Sequence, residues 1–163
     1  MSKHTLEAIY KMYYNDVFRY IYSLSRNREL SEDVTQETFY RLYHYLDEIK
    51  DNQFKPWLFR VAYNAFVDST RKEKRHQNYS FEQSIFNARS AEEEVFVKLQ
   101  ITNFARFANE LSPIQRNVII LRDYYQFTYE EIQLMTGLSL PNVKVNLFRA
   151  RKIVQPKMKG EQI

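Results

Sequence analysis

Three helix starts follow one another within residues 112–154, and they constrain the fold more than any other feature of the sequence. Ser112 is followed three residues later by Gln115, and Thr128 is followed at the same spacing by Glu131. A Ser or Thr with Glu or Gln at this spacing forms the reciprocal capping box, in which each side chain accepts a hydrogen bond from the other residue's backbone amide. The two pairs therefore predict two helix N-termini in close succession.

Gly137 and Ser139 mark the third start. Gly137 is one of only two glycines in the protein, and it stands where the short second helix needs a left-handed terminating residue. Ser139 can accept hydrogen bonds from the first amides of the helix that follows. Apolar residues keep helical spacing across this turn, at Ile132, Met135, Leu138, Val143, Leu147, Ala150 and Val154. The pattern is typical of a helix-turn-helix, in which the last two helices share one apolar core.

The third helix carries hydrogen-bonding and basic side chains on the face opposite its apolar residues. The candidate DNA-contacting residues are Ser139, Asn142, Lys144, Val145, Asn146, Arg149 and Lys152. From Gly137 to the end, the sequence contains six Lys or Arg residues and one Glu. This balance suits a helix that lies in a major groove between phosphates, so we predict DNA binding. The residues alone leave one alternative open, a three-helix bundle with a solvated basic face.

The stretch LSPIQRNVIILRDYYQFTYEEIQLMTGLSLPNVKVNLFRARKIV resembles the C-terminal DNA-reading domain of bacterial RNA polymerase sigma factors of the extracytoplasmic-function (ECF) group. That group typically carries a Leu-Pro-x-x-x-Arg opening, a Tyr-x-Glu-Ile-Ala helix and a Thr-Val-Lys-Ser-Arg-Leu-x-Arg-Ala-Arg helix. This chain departs from the pattern at Asn142, Val145, Asn146 and Phe148. The resemblance implies that the domain reads the minus-thirty-five promoter element. The departures bear on the promoter sequence rather than on the class.

The composition favours an all-α protein and gives little support to catalysis. Glycine is scarce and the aromatic residues mostly keep helical spacing. Cysteine is absent, which excludes disulfides, thiolate zinc sites and thiol nucleophiles. His4, His44 and His76 lack ligand spacing, and no glycine-rich phosphate loop occurs, so we expect no enzyme activity, metal, cofactor or small-molecule substrate. With neither a signal-like N-terminus nor a long apolar run, we expect a cytoplasmic protein.

The N-terminal half begins with an amphipathic helix over residues 5–25, followed by a second helix predicted to open at Ser31. Glu32 and Asp33 would then lie in the first turn of that second helix. Its inward residues are Thr35, Phe39, Leu42, Leu46 and Ile49. Its outer face carries Asp33, Gln36, Glu37, Tyr40, Arg41 and His44. On spacing alone this outer face would be solvated surface.

The block EDVTQETFYRLYHYL is similar to the signature of the ECF helix that docks on the coiled coil of the polymerase β′ subunit. The resemblance implies that the partner is core RNA polymerase, contacted through its β′ coiled coil and its β subunit. The implied polymerase-binding residues are Asp33, Gln36, Glu37, Tyr40 and Arg41. Carboxylates, an amide and an aromatic ring are suited to a basic coiled-coil surface.

A third long helix is predicted in FKPWLFRVAYNAFVDSTRKEKR, with Pro56 in its first turn. Basic side chains recur on its polar face and aromatic rings border that face, including Trp57, Phe59, Tyr63 and Phe66. Cations that track phosphates and rings that stack on unpaired bases are typical of single-strand binding. The residues leave open whether each ring instead belongs to the core.

The same helix resembles the ECF segment that captures the melted minus-ten promoter strand. The implied single-strand contacts are Trp57, Arg60, Asn64, Asp68, Arg71, Lys72 and Arg75. The preceding loop, Asp47 to Gln53, would help to form the pocket for a base flipped out of the stack.

The predicted organisation is two small helical domains joined by a flexible linker. Residues 1–76 form the polymerase-docking and promoter-melting domain, 77–93 the linker, and 94–163 the helix-turn-helix domain, with its first helix capped by Ser90 and Glu93. The resemblance also implies promoter DNA as a partner and a cognate anti-sigma protein, often membrane-bound in that family. The alternative is a helix-turn-helix transcriptional regulator whose N-terminal domain senses a ligand or dimerises. A helical adaptor without DNA binding is a third reading.

Overall fold

The computed structural model describes residues 5–75 and 110–161, except for the side chains of 73–75 and 155–161. These residues form helices and turns without a strand, which confirms the all-α prediction. They divide into two compact units, one within Met1–Ala88 and one within Arg89–Ile163. The predicted linker 77–93 and the helix start at Ser90 lie outside the described residues, so the domain boundaries stay a prediction. Within the described ranges, every helix is too short or too polar to cross a membrane.

The first unit contains α1 (Leu6–Ser25), α2 (Arg28–Tyr45) and α3 (Phe54–Arg75), and each helix packs on the other two. Two short 3-10 turns, Leu46–Glu48 and Asp51–Gln53, connect α2 to α3. The buried apolar core is formed by Ile9, Val17, Tyr20, Ile21, Val34, Phe39, Leu42, Phe54, Leu58, Phe59, Ala62 and Ala65. One side of each helix is thereby committed to packing, and the other side remains available to partners.

The predicted start of α2 at Ser31 is wrong, because the helix begins one turn earlier at Arg28. Asn27 is the cap, and its side-chain oxygen accepts from the Leu30 amide at 3.1 Å. The Ser31 hydroxyl is fully buried, donates to the Asn27 carbonyl at 2.7 Å, and lies 3.0 Å from the Ser25 hydroxyl. Asn and Ser are comparable caps. Ser31 is buried between α1 and α2, whereas a cap position is usually solvated, so Asn27 rather than Ser31 caps α2.

The aromatic residues of α3 divide between core and surface. Phe59 is fully buried and stacks on Tyr20 with ring centroids 4.8 Å apart, so it belongs to the core. Trp57, Tyr63 and Phe66 are half-buried at the border between the core and the polar face. The open choice between core and binding surface is therefore resolved for Phe59, in favour of the core.

The second unit contains α4 (Pro113–Ile119), α5 (Tyr129–Thr136) and α6 (Leu140–Glu161). Both predicted capping boxes are confirmed. The Gln115 amide donates to the Ser112 hydroxyl at 3.2 Å, and the Ser112 amide donates to the Gln115 side chain at 3.1 Å. The Thr128 amide donates to the Glu131 carboxylate at 2.9 Å, and the Glu131 amide donates to the Thr128 hydroxyl at 3.1 Å.

The turn between α5 and α6 also has the predicted geometry. Gly137 ends α5 in the left-handed region, with φ 76°, and its amide donates to the Gln133 carbonyl at 2.8 Å. The Ser139 hydroxyl accepts from the Asn142 amide at 3.3 Å. Of the predicted inward residues, only Leu138 is half-buried. The others are fully enclosed, at Ile132, Met135, Val143, Leu147, Ala150 and Val154.

A π-helical turn, Ile120–Tyr124, continues α4 and was not predicted. The Tyr125 amide donates to the Ile120 carbonyl at 3.1 Å, and Gln126 follows in the left-handed region with φ 62°. The aliphatic run of residues 118–121 lies entirely inside the core of the unit. The wider turn ends the helix just before α5, so that the three helices can share that core.

Candidate nucleic-acid and protein interfaces

The outer side of α6 forms a continuous exposed strip, which we call the reading face. It comprises Asn142, Val145, Asn146, Arg149 and Lys152. All are solvent-exposed except Asn146, which is half-buried and donates from its side-chain amide to the Asn142 carbonyl at 2.8 Å. Ser139 is also exposed, at the N-terminus of the helix. The sequence-predicted DNA contacts thus lie on one side of a helix whose other side is packed in the core.

Lys144 lies on the flank of this strip and is held near the start of α5. The Tyr129 ring is close to two cations, with the Arg122 guanidinium carbon 4.6 Å and the Lys144 Nζ 5.7 Å from its centroid. Arg122 also donates to the Phe127 carbonyl at 2.8 Å. This network ties the two helices of the motif together and concentrates positive charge at one edge of the reading face. Sequence reasoning did not find it, because Arg122 and Lys144 meet only through the ring.

Arg151 is basic and lies on α6, but its charge is already engaged. Its guanidinium donates to both carboxylate oxygens of Asp123, with Nε to Oδ2 at 3.0 Å and Nη2 to Oδ1 at 2.5 Å. Hydrogen bonding to Asp123 raises the pKa of Arg151 above its ordinary value. The pair fastens α6 to the π-helical turn, so Arg151 contributes to the fold more than to the reading face.

The outer side of α2 carries a second strip, which we call the docking face. It comprises Asp33, Gln36, Glu37, Tyr40 and Arg41, all exposed except the half-buried Arg41. Arg41 pairs with Glu37 at 3.0 Å within the helix. Tyr40 is 65% exposed and makes an edge-on contact with the ring of His44 at 4.8 Å. An aromatic side chain this exposed among charges is typical of an interface anchor.

Negative charge accumulates near the N-terminal end of the docking face. Although Asp33 is exposed, some loss of hydration in the folded chain raises the pKa of its carboxyl, and repulsion from Glu29 and Glu32 raises that pKa further. Glu32 is paired with Arg28 at 3.0 Å. Both effects disfavour the ionised form of Asp33, and a basic partner would offset the repulsion.

The polar side of α3 forms a third strip, which we call the strand face. Its exposed residues are Arg60, Asn64, Asp68, Arg71 and Lys72. Trp57 lies half-buried at its start, with its ring 6.2 Å from that of Tyr45. Arg75 is the last residue of α3, but its side chain lies outside the described residues. The face thus combines a partly exposed aromatic edge with a line of cations, as the sequence predicted.

The loop before α3 is also exposed. The residues from Asp47 to Gln53 are exposed except for the half-buried Ile49, and two 3-10 turns form part of the loop. Polar side chains here border the Trp57 end of the strand face. Within the described ranges, no three His, Cys, Asp or Glu side chains gather in a way that could hold a metal ion.

Both units match known sequence families. Residues 9–76 match the family described as Sigma-70 region 2, and residues 102–154 match the one described as Sigma-70, region 4. The ECF RNA polymerase sigma factor SigM of Bacillus subtilis (strain 168) is 36% identical over 152 residues, which cover 91% of each protein.

Two solved structures share the fold. The first is the sigma factor RpoE from Bartonella quintana in complex with the anti-sigma factor NepR, with a TM-score of 0.72 and 26% identity over 92% of this chain and 94% of that one. The second is CnrH in complex with the cytosolic domain of CnrY, with a TM-score of 0.65 and 22% identity over 95% of this chain and 88% of that one.

Proposed function

Because this chain belongs to the ECF group of RNA polymerase sigma factors, we propose that it binds core polymerase and directs promoter-specific initiation through the three faces described above. The docking face of α2 binds the β′ coiled coil. The reading face of α6 binds the minus-thirty-five duplex, and the strand face of α3 holds the melted minus-ten strand. The observation that carries this assignment is that each face is exposed along one helix whose opposite side is packed in a core.

The docking face is suited to a basic helical partner. Its carboxylates supply charge complementarity, and Tyr40 supplies apolar area with few rotatable bonds. The side chains of Glu37 and Arg41 are about half exposed, so their ion pair is weak and exchanging it for contacts with a partner carries little penalty. Core polymerase is present in the cytoplasm, where we therefore place the activity.

The strand face offsets the cost of opening DNA. Flipping a base out of the stack costs a few kcal/mol, whereas stacking on an aromatic side chain contributes about 1–3 kcal/mol per base. Trp57 supplies that stacking contact, and the exposed loop before it supplies polar groups for the flipped base. Arg60, Arg71 and Lys72 supply cations for the backbone. Trapping of the opened strand, together with contacts to polymerase, therefore provides the energy for melting, without nucleotide hydrolysis. The role is regulatory rather than catalytic.

The first experiment is run-off transcription with purified core polymerase. We expect initiation only when the chain is present, at promoters that a genome-wide map of start sites then defines. A conventional helix-turn-helix regulator behaves differently, since it binds symmetric duplex sites as a dimer without polymerase. Duplex binding of that kind, with no affinity for core polymerase, would exclude the sigma-factor function.

The docking face is tested with two tyrosines that match in exposure. Tyr40 and Tyr43 lie on the same helix and are each 65% exposed, but only Tyr40 belongs to the docking face. We expect Tyr40→Ala to weaken binding to core polymerase by about fivefold or more, since interface anchors contribute more than about 1 kcal/mol. Tyr43→Ala should change it by less than about twofold. If Tyr43→Ala lost more affinity for core polymerase than Tyr40→Ala, the contact would lie beside the docking face rather than on it.

The reading face and the strand face are tested separately, with one substitution at an exposed residue of each. Arg149→Ala should weaken binding to the upstream duplex by about 1–3 kcal/mol if it meets a base, or lower the salt slope by about one unit if it meets a phosphate. Asn64→Ala should leave upstream binding intact and reduce open-complex formation, followed by permanganate reactivity of unpaired thymines. Equal losses in both assays for either variant would contradict the division of labour. Trp57→Ala should likewise reduce open-complex formation alone, and Trp57→Phe, which keeps a ring at this half-buried position, is its control.

We also infer an inhibitory protein partner. RpoE, which shares this fold at 26% identity, is in complex with an anti-sigma factor. An inhibitor that covers the docking face competes with core polymerase, and affinity capture of the chain with and without added core enzyme tests this. Tyr40→Ala should weaken both interactions if they share the face. Loss of only one would show that the inhibitor binds elsewhere.

A further inference from the structure

The most outward line of α6 is apolar. Pro141, Val145 and Phe148 are spaced four and three residues apart, so they lie one above the other, and we call them the apolar ridge. All three are exposed, Val145 by 43% and Phe148 by 60%. The ridge lies on the side of α6 opposite the buried core residues Val143 and Leu147. A single exposed apolar residue needs no explanation, but an aligned set along the edge of the reading face does.

The surroundings of the ridge indicate what covers it. Lys152 lies with its Nζ 4.6 Å from the centroid of the Phe148 ring, and Arg149 is exposed beside it. With Lys144 on the flank, cations border the apolar line. An apolar protein groove would have to desolvate these charges, whereas a DNA major groove presents phosphates to them. Charge complementarity therefore favours duplex DNA as the occupant of the ridge.

Only one base presents an apolar group in the major groove. The C5 methyl of thymine is that group, and the other bases present only hydrogen-bond donors and acceptors there. Val145 and Phe148 have no hydrogen-bonding side-chain atoms, so they cannot satisfy those edges and gain most from covering a methyl. We propose that Val145 and Phe148 are specificity-determining residues that recognise thymine methyls in the upstream promoter element. This proposal rests on the proposed function of α6 as the duplex-reading helix.

The test removes the methyl and nothing else from the DNA. An upstream element is first selected from a random duplex library with the holoenzyme formed by this chain and core polymerase. Each thymine of the selected element is then replaced in turn by uracil, and equilibrium binding of the holoenzyme is measured. Burial of one methyl predicts about a fourfold loss of affinity at one or two positions. Loss at no position, or a selected element without thymine, would overturn the proposal.

Protein variants identify which side chains sense the methyl. In Val145→Ala or Phe148→Ala, the uracil penalty at one position should fall to less than about twofold, although overall affinity also falls. Leu134→Ala is the matched control, because Leu134 is 70% exposed but lies on α5, and it should keep the full penalty. An undiminished penalty in both ridge variants would assign the effect to DNA shape and overturn the proposal.

The outcomes also separate this proposal from the function on which it rests. If binding is sequence-specific and salt-dependent but unchanged when uracil replaces thymine, methyl recognition by the apolar ridge is refuted and α6 remains the reading helix. Absence of any selected upstream element would refute both, and Arg149→Ala would then be without effect as well.

Discussion

Replacing Gly137 with alanine tests how far the turn between α5 and α6 depends on a left-handed residue. Apart from the adjacent residues, an added Cβ would meet no atom within 4 Å, so the cost of the substitution comes from local backbone strain. The left-handed conformation at φ 76° costs an L-residue about 1–2 kcal/mol. The reduced freedom of alanine in the unfolded chain offsets about 0.4–1 kcal/mol of this. We therefore expect the second unit to lose about 1 kcal/mol of stability.

Hydrogen exchange of the full chain, followed by mass spectrometry, measures this loss where it occurs. A loss of 1 kcal/mol corresponds to about fivefold faster exchange of the protected amides in α5 and α6. Gly137→Asn is the matched control. Asn tolerates the left-handed region better than Ala, so it should exchange at a rate between those of the wild type and Gly137→Ala.

Gln126 allows the reverse substitution in the same unit, from a left-handed non-glycine residue to glycine. It is exposed, is not glycine, and has φ 62°. Gln126→Gly should relieve the same strain and slow exchange by about the same factor, after allowance for the greater freedom of glycine in the unfolded chain. The reasoning is refuted if Gly137→Ala and Gly137→Asn are equally destabilising, or if Gln126→Gly destabilises the unit as much as Gly137→Ala does.

Three further predictions concern stability. Asp33→Asn should stabilise the first unit at neutral pH, because the raised pKa of Asp33 means that its ionised form opposes folding. In a pH series of denaturation curves, that gain in stability should disappear as the pH falls from the pKa of Asp33 in the folded chain to its ordinary pKa in the unfolded chain. A gain that persists in acid would contradict this explanation. Phe59→Ala should lower the free energy of unfolding by about 3–5 kcal/mol in urea denaturation, because its ring is fully buried against Tyr20. A loss below about 1 kcal/mol would contradict a core position for Phe59. A double-mutant cycle with Asp123→Asn and Arg151→Met should give a coupling of about 0.5–1 kcal/mol that weakens in high salt, since both side chains are about one-third exposed; salt-independent coupling would contradict this.

The sequence predicted well wherever the deciding interaction is local. The two capping boxes, the Ser139 cap and the left-handed Gly137 all involve residues within four positions of one another. Their geometry follows from backbone sterics and short hydrogen bonds that hardly depend on the rest of the fold. The separation of the reading face from the core of α6 was predictable for a similar reason, because helical periodicity alone determines which residues share a side.

Predictions failed or stayed open where two local solutions were nearly equal in energy. Asn27 and Ser31 are both good caps, and burial of Ser31 against Ser25 selected the first. By helical spacing, Trp57 and Phe59 both border the polar stripe of α3, and packing against Tyr20 put only Phe59 inside the core. In each case the choice depends on a neighbouring helix, which no window of sequence contains.

By itself, the sequence determined the class of fold, the helix-turn-helix boundaries and the residues that each helix turns outward, because spacing and capping are properties of the chain alone. Only the tertiary structure decided which outward residues are engaged. Arg151 is held by Asp123, 28 positions away, and Lys144 is held beside Tyr129. Val145 and Phe148 remain exposed on the far side of the same helix. The physical reason is that availability to a partner depends on which competing contacts the folded chain brings within reach.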